Sequence, residues 1–171
     1  VVFVAPYQQE RWQIVFDADK LDEINTVAKF QYHPIGVEID TLPATYMTSS
    51  FGGRMRDQVH HYMSVAKAFE AMASGEVSAV MGMRAELEHS LKSYPDRPFL
   101  KASNGFPGIS KPVWDVGIAI RHTYRALGYA VEGAVDRMIR NGEVAQLYQR
   151  HGLSFSRPGY YDAILGPEEA E

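Results

Sequence analysis

The sequence contains no cysteine. That removes disulfides, thiolate nucleophiles and cysteine-ligated zinc from consideration. No apolar run approaches the roughly 18 residues that a membrane-spanning helix needs. There is no lysine- or arginine-rich run and the net charge is −4, so neither nucleic acid nor an anionic membrane surface is favoured as a partner. No repeat of solenoid period is visible. The sequence as given begins inside the apolar run Val1-Val2-Phe3-Val4, not at a methionine. The expectation from that start is a processed or partial chain, its signal peptide removed and its upstream part out of view. The six histidines form no metal motif. His60 and His61 are neighbours, so on a strand they point to opposite faces, and His33, His89, His122 and His151 have no ligand spacing to one another. Neither a metal nor a cofactor is expected.

What is present is the composition of a globular protein, 46% apolar over 171 residues. That length suffices for one ordinary domain or two small lobes, burying roughly 70% of the unfolded surface. The most informative stretch runs from Ser64 to Met83. Ser64 is a good N-cap, and Val65, Ala68, Phe69 and Met72 share one helical face. Gly75 supplies a left-handed end, and Val77 to Met81 is short and apolar enough to be a buried strand. Helix, glycine and buried strand make half of an α/β unit, and ligands of open α/β sheets gather at such strand ends.

Along the rest of the chain, Val1 to Val4 predicts a strand that stops at Pro6, and Trp12 to Phe16 a second one. Leu21 to Val27 predicts a short helix or turn, and Ile35 to Ile39 a strand. Thr41 before Pro43 marks a helix start with a weak anion-binding N-terminus, ended by Gly52-Gly53. Val59 to Met63 predicts a strand, Arg84 to Ser93 a polar helix with Leu87 and Leu91 inward, and Tyr94 to Pro112 a loop or connector with Phe99-Leu100 as a short strand. Val113 to Ile120 predicts a strand, Tyr124 to Arg140 the longest helix, and Glu143 to His151 a last helix closed by Gly152. The tail from Gly166 is acidic and expected to fray. The order implies an α/β architecture with a largely parallel core.

Four segments resemble, in order and rough spacing, the type II periplasmic solute-binding proteins that serve ABC importers of polar amino acids. They are Phe3 to Tyr7, Ile35 to Thr41, the Ser64–Met83 stretch, and Gly117 to Arg121 through Arg140 to Glu143 and Tyr148 to Gly152. The resemblance implies a two-lobed α/β protein, represented here by a complete second lobe plus the C-terminal helices of an incomplete first lobe. Residues 1–16 would be the end of lobe one and a first hinge strand, 17–113 lobe two, 114–121 the return hinge strand, and 122–171 the helices and tail of lobe one. It also exposes departures. Amino-acid binders of the family hold the ligand ammonium with an acid at the strand end where this chain has Met83, and have glycine where it has Asp40. A thioether does not pair with a cation, and Asp40 would repel a carboxylate.

Amino-acid import is therefore disfavoured. Trp114 to Gly117, the Pro/Gly-rich connector and Pro158-Gly159-Tyr160-Tyr161 are similar to the branch that accompanies periplasmic quinoprotein dehydrogenases. That resemblance implies a non-enzymatic periplasmic accessory protein of a quinoprotein methanol dehydrogenase. The alternatives are the substrate-binding subunit of an ABC importer for a small solute that is not an amino acid, working with its permease, and a cyclohexadienyl-dehydratase-like enzyme.

The expected cleft-lining residues are Tyr7, Trp12, Asp40, Thr41, Arg54, Met83, Trp114 and Asp115. Asp40 and Asp115 are the acids best placed for acid–base work, with a helix cap or a hydrogen-bond acceptor as the competing reading. Ser49, Ser50 and Ser154 lack a readable histidine and base. Arg54 and Arg56 could grip an anion or lie solvated on the surface. The aromatics Tyr7, Trp12, Tyr32, Tyr46, Phe51, Tyr62, Phe106 and Trp114 exceed what one small core needs, so some could line a cleft or a partner surface.

Overall fold

The computed structural model describes residues 1–24, 26–101 and 113–166. Phe106, much of the expected connector and the acidic end of the tail lie outside the described residues. The chain divides into two compact units, one of Val1–Arg11 with Val113–Glu171 and the other of Trp12–Pro112.

A single long strand, β1 (Val2–Asp17), contributes to both units. The sequence suggested two strands separated by Pro6. The backbone instead absorbs the proline in a bulge: the pairing with β6 (Val113–Ile120) shifts register between Val4 and Gln8, and Ala5 adopts φ +52°. At a bulge the absent proline N–H costs no ladder hydrogen bond.

In the unit of Trp12–Pro112, β2 (Ile35–Glu38), β3 (Val59–Tyr62) and β4 (Ala79–Met83) are parallel, whereas β1 runs antiparallel to β4 and to β5 (Phe99–Lys101). The strand order is β3-β2-β4-β1-β5. The core is thus mixed, and only half as parallel as the sequence pattern implied, because β1 returns against β4. Alternation along the strands feeds two apolar layers. Trp12, Ile14, Phe16, Ala79 and Met81 face α1 (Leu42–Gly53) with Met47 and Met55, whereas Val15 and Val80 face Phe69, Met72 and Leu87.

Local chemistry sets the helices. Thr41 Oγ1 accepts from Ala44 N at 3.3 Å and Ser64 Oγ from Lys67 N at 3.2 Å, so both expected caps form. In α2 (Val65–Ser74), Val65, Ala68, Phe69 and Met72 are all buried, and Gly75 closes the helix at φ +88°. Helix α3 (Arg84–Leu91) follows β4 directly, with Leu87 fully buried, and its Glu88 meets Lys101 of β5 at 2.7 Å. Among the described residues, 21–24 and 26 are not helical, and a 3-10 turn spans Val27–Gln31. The end of α1 comes earlier than its glycines: Ser50 already leaves the helix at ψ 142°, before Phe51 and Gly52 turn left-handed.

The other unit holds the paired halves of β1 and β6, α4 (Arg125–Arg140), α5 (Glu143–Arg150) and a short α6 (Asp162–Leu165). Its core is a small cluster of Ile139, Val144 and Tyr161 with Val135, Met138, Tyr148 and Phe155 packed against it. No helix among the described residues is long and apolar enough to cross a membrane.

Candidate functional site

Strands β2 and β4 are parallel and adjacent, with Val37 opposite Met81, so their carboxyl ends open side by side. Each runs into a helix, and the N-terminus of α2 lies over the same edge. The close approach is visible at Gly82, where a Cβ would stand 3.1 Å from Val65 Cγ2. Here lies a hollow of about 310 Å³ lined by Glu38, Thr41, Leu42, Pro43, Val65, Met81, Gly82, Met83 and Glu86.

Its polar groups are held firmly. Thr41 Oγ1 donates to the Glu38 carbonyl at 2.7 Å while capping α1. Glu38 Oε2 accepts from Val65 N at 3.2 Å, a carboxylate at the electropositive start of α2. Glu86 occupies the first turn of α3, which the helix dipole also favours. The floor is apolar: Met81 is fully buried, and the half-buried Met83 packs with Tyr46 against the core that contains Trp12. The lining carries two carboxylates and no lysine or arginine.

A second hollow, of about 350 Å³, borders the β2–α1 turn and α1. Ile39, Asp40, Ala44, Thr45, Thr48, Ser49, Arg56 and His61 line it. Asp40 takes φ +60°, a conformation that glycine adopts freely and that aspartate tolerates better than most side chains.

The structure sorts the sequence-predicted residues into several places. Thr41 and Met83 meet in the strand-end hollow, and Asp40 belongs to the second one. Trp12 sits opposite Met83 on β1 and meets Tyr46 in a tilted ring contact with centroids 5.5 Å apart, but with 8% exposure it is core. Arg54 is exposed just past α1 and lines neither of these hollows. Tyr7, Trp114 and Asp115 belong to the other unit. There Tyr7 lies within the bulged stretch of β1 and Trp114 stands opposite Glu10. Both carboxylate oxygens of Asp115 are engaged by the tail: Oδ1 accepts from Gly159 N and Gln9 Nε2, each at 3.2 Å, and Oδ2 from Tyr160 N at 3.4 Å.

The residues the sequence reading missed are Glu38 and Glu86 in one hollow, and His61 and the α1 hydroxyls in the other. Glu38 was legible as the last residue but one of a predicted strand, and Glu86 as a first-turn acid three residues after Met83. Nothing in the sequence showed that these two positions face one cavity. Histidines His60 and His61 do diverge as expected, with His60 Nδ1 3.5 Å from Glu76. Glu76 also accepts from Tyr62 at 2.8 Å. Burial first, and that acid second, push the Tyr62 hydroxyl well above the usual tyrosine range. No group of three or more metal-ligating side chains is found among the described residues.

No protein-family model matches the sequence, and no curated protein does either. Solved structures do match. An amino acid ABC transporter substrate-binding protein, AbpA from Streptococcus pneumoniae, bound to L-arginine, superposes with TM-score 0.72 at 15% identity, over 88% of this chain and 60% of that one. The arginine-, lysine-, histidine-binding protein ArtJ from Geobacillus stearothermophilus gives 0.67 at 18%, over 95% and 65%. The solute receptor for L-cysteine of Neisseria gonorrhoeae gives 0.67 at 20%, over 88% and 57%. The chain therefore spans about three-fifths of the length of the structures it matches. These likenesses are likenesses of fold, and the fold is part of the type II periplasmic binding protein architecture.

Proposed function

We propose that this chain forms the larger part of a periplasmic solute-binding protein, the ligand-capturing subunit of an ABC importer for a small solute other than an amino acid. The observation that carries this reading is the strand-end hollow, with Thr41 and Met83 at the carboxyl ends of β2 and β4. Open α/β sheets bind ligands at such edges, and the matched structures are named as a substrate-binding protein, a solute receptor and an arginine-, lysine-, histidine-binding protein. The lining speaks for the class of solute. Two acids and no basic side chain disfavour a ligand carboxylate, and the methionine floor suits an apolar body. An amine or hydroxyl group toward Glu38 and Glu86 would complete the fit. Binding without turnover is the simpler reading, since the tail occupies Asp115 and Asp40 lies in a different hollow. The comparisons lend nothing to a quinoprotein dehydrogenase partner.

Thermal unfolding of the chain against amines, quaternary ammonium ions, polyols and amino acids tests the reading. A solute at a hundred times its Kd stabilises by about 2.7 kcal/mol, a shift of several degrees. The expected result is a shift with an amine or polyol that Glu86→Gln diminishes. A shift with standard amino acids alone, or no solute response alongside co-purification with methanol dehydrogenase, would overturn it.

A further inference from the structure

We infer that the second hollow, beside α1, is a separate binding site for a small zwitterion whose opposite charges are separated along its length, such as a dipeptide or an ω-amino acid. The site does not depend on the strand-end hollow.

The argument starts from α1. Its helical part runs from Leu42 to Ser49 before Ser50 leaves the helix, a length of about 12 Å at 1.5 Å per residue. Asp40 stands just before that helix and Arg56 just beyond it, and both line the same cavity of about 350 Å³. The acid lies beside the electropositive start of the helix, where the dipole favours it, and the guanidinium belongs to the separate 3-10 turn Arg56–Gln58 that follows. That placement uses none of their hydrogen-bonding capacity. Among the described residues the side chains of Asp40, Arg56 and His61 make no hydrogen bond or ion pair.

Between the charged ends lies a row of hydroxyls with a definite polarity. Thr45 Oγ1 donates to the Thr41 carbonyl at 3.2 Å, and Ser49 Oγ donates to the Thr45 carbonyl at 2.7 Å. Their protons are spent on the helix, so their oxygens remain acceptors. Thr48 differs: its Oγ1 is buried and has no hydrogen-bond partner. A buried hydroxyl without a partner is costly, and a polar ligand in the cavity would relieve that cost.

The charge pattern decides the ligand. A phosphate or other dianion would suit Arg56 and His61 but would meet the Asp40 carboxylate. A plain amine would suit Asp40 and leave Arg56 unused. A molecule with an ammonium at one end and a carboxylate at the other satisfies both, with the carboxylate in the bidentate geometry that guanidinium prefers. The backbone leading into Arg56 is anchored by Met55, which is fully buried.

The test is a titration of the isotope-labelled chain, followed by amide chemical shifts, with alanyl-alanine and 6-aminohexanoate as probes, and with butylamine, butyrate and inorganic phosphate as single-charge or purely anionic controls. Saturable shifts confined to residues 39–49, 56 and 61 are expected from the two zwitterions, with at least about tenfold weaker binding of every control. Arg56→Gln and Asp40→Asn should each weaken zwitterion binding by about tenfold. Asparagine also tolerates the left-handed conformation at position 40, and both side chains are exposed, so neither variant threatens the fold. Phosphate or butyrate binding as tightly as the zwitterions would overturn the proposal, as would shifts centred on the strand-end hollow or binding indifferent to both substitutions.

Discussion

The two units solve the burial problem to different degrees. In the unit of Trp12–Pro112, a five-stranded sheet is covered on both faces, and Phe69, Met72, Met81 and Leu87 lose essentially all contact with water. In the other, Tyr124, Leu127 and Tyr129 on or beside α4 remain 57%, 54% and 72% exposed, and Phe3 on β1 is 76% exposed. Its sheet is one pair of strands, which is marginal alone. What holds it is largely polar: Gln8, fully buried, takes Ser156 N on its Oε1 at 3.0 Å and gives its Nε2 to Glu10 at 2.9 Å and to the Ser154 carbonyl at 3.2 Å. One unit is thus stabilised mainly by apolar layers and the other by a small cluster plus a network of hydrogen bonds to its tail. The placing of apolar residues along each element decides how much surface is sealed.

The chain carries one tryptophan in each unit, Trp12 and Trp114, so the contrast can be measured separately in Trp114→Phe and Trp12→Phe backgrounds. The largest effect is expected from Phe69→Ala. Phe69 is fully buried and contacts Tyr94 and Phe99 at ring distances of 6.0 and 6.2 Å. Emptying that site should cost about 3–5 kcal/mol, seen as an earlier urea midpoint for Trp12 emission with little change for Trp114. Equal shifts of both signals would show that the units unfold as one and would end the comparison.

A smaller effect, of about 1–2 kcal/mol, is expected from Asp115→Ala, which leaves two backbone N–H groups of the tail without their acceptor. The signals should reverse, with Trp114 emission moving and Trp12 holding. Retention of the Trp114 midpoint would mean that the buried Gln8 pairing alone fixes the tail.

This contrast also explains how much was legible in advance. Elements that carry their own instructions were read correctly: the Ser64 and Thr41 caps, the Gly75 stop, and β6 over Val113–Ile120 are local chemistry. Pro6 misled because a bulge is a property of two strands, and the partner of β1 is more than a hundred residues away in sequence. The antiparallel return of β1 against β4 was hidden for the same reason. At the candidate site, Met83 was identifiable as a strand end, but Glu38 and Glu86 share its hollow only because β2 and β4 are neighbours. Asp40 and Thr41, adjacent in sequence, line different hollows because the left-handed turn at Asp40 parts them.

The smallest effect is the most discriminating. Leu127 falls at the helical spacing of Val131 and Val135 on α4, yet it is more than half exposed whereas Ile139 at the other end is buried. If the face is bare in solution, Leu127→Ser should change the stability read by Trp114 by no more than about 0.5 kcal/mol, since little apolar area is lost to water. It should also reduce concentration-dependent association, because contiguous exposed apolar residues are what drive it. Sedimentation of the chain and its Leu127→Ser variant over a range of concentrations separates the two consequences. A loss of 2 kcal/mol or more would place Leu127 in a sealed core and erase the difference between the two units. Unchanged association with unchanged stability would show that the exposed face of α4 is too broken by Arg125, Glu132 and Asp136 to act as a patch.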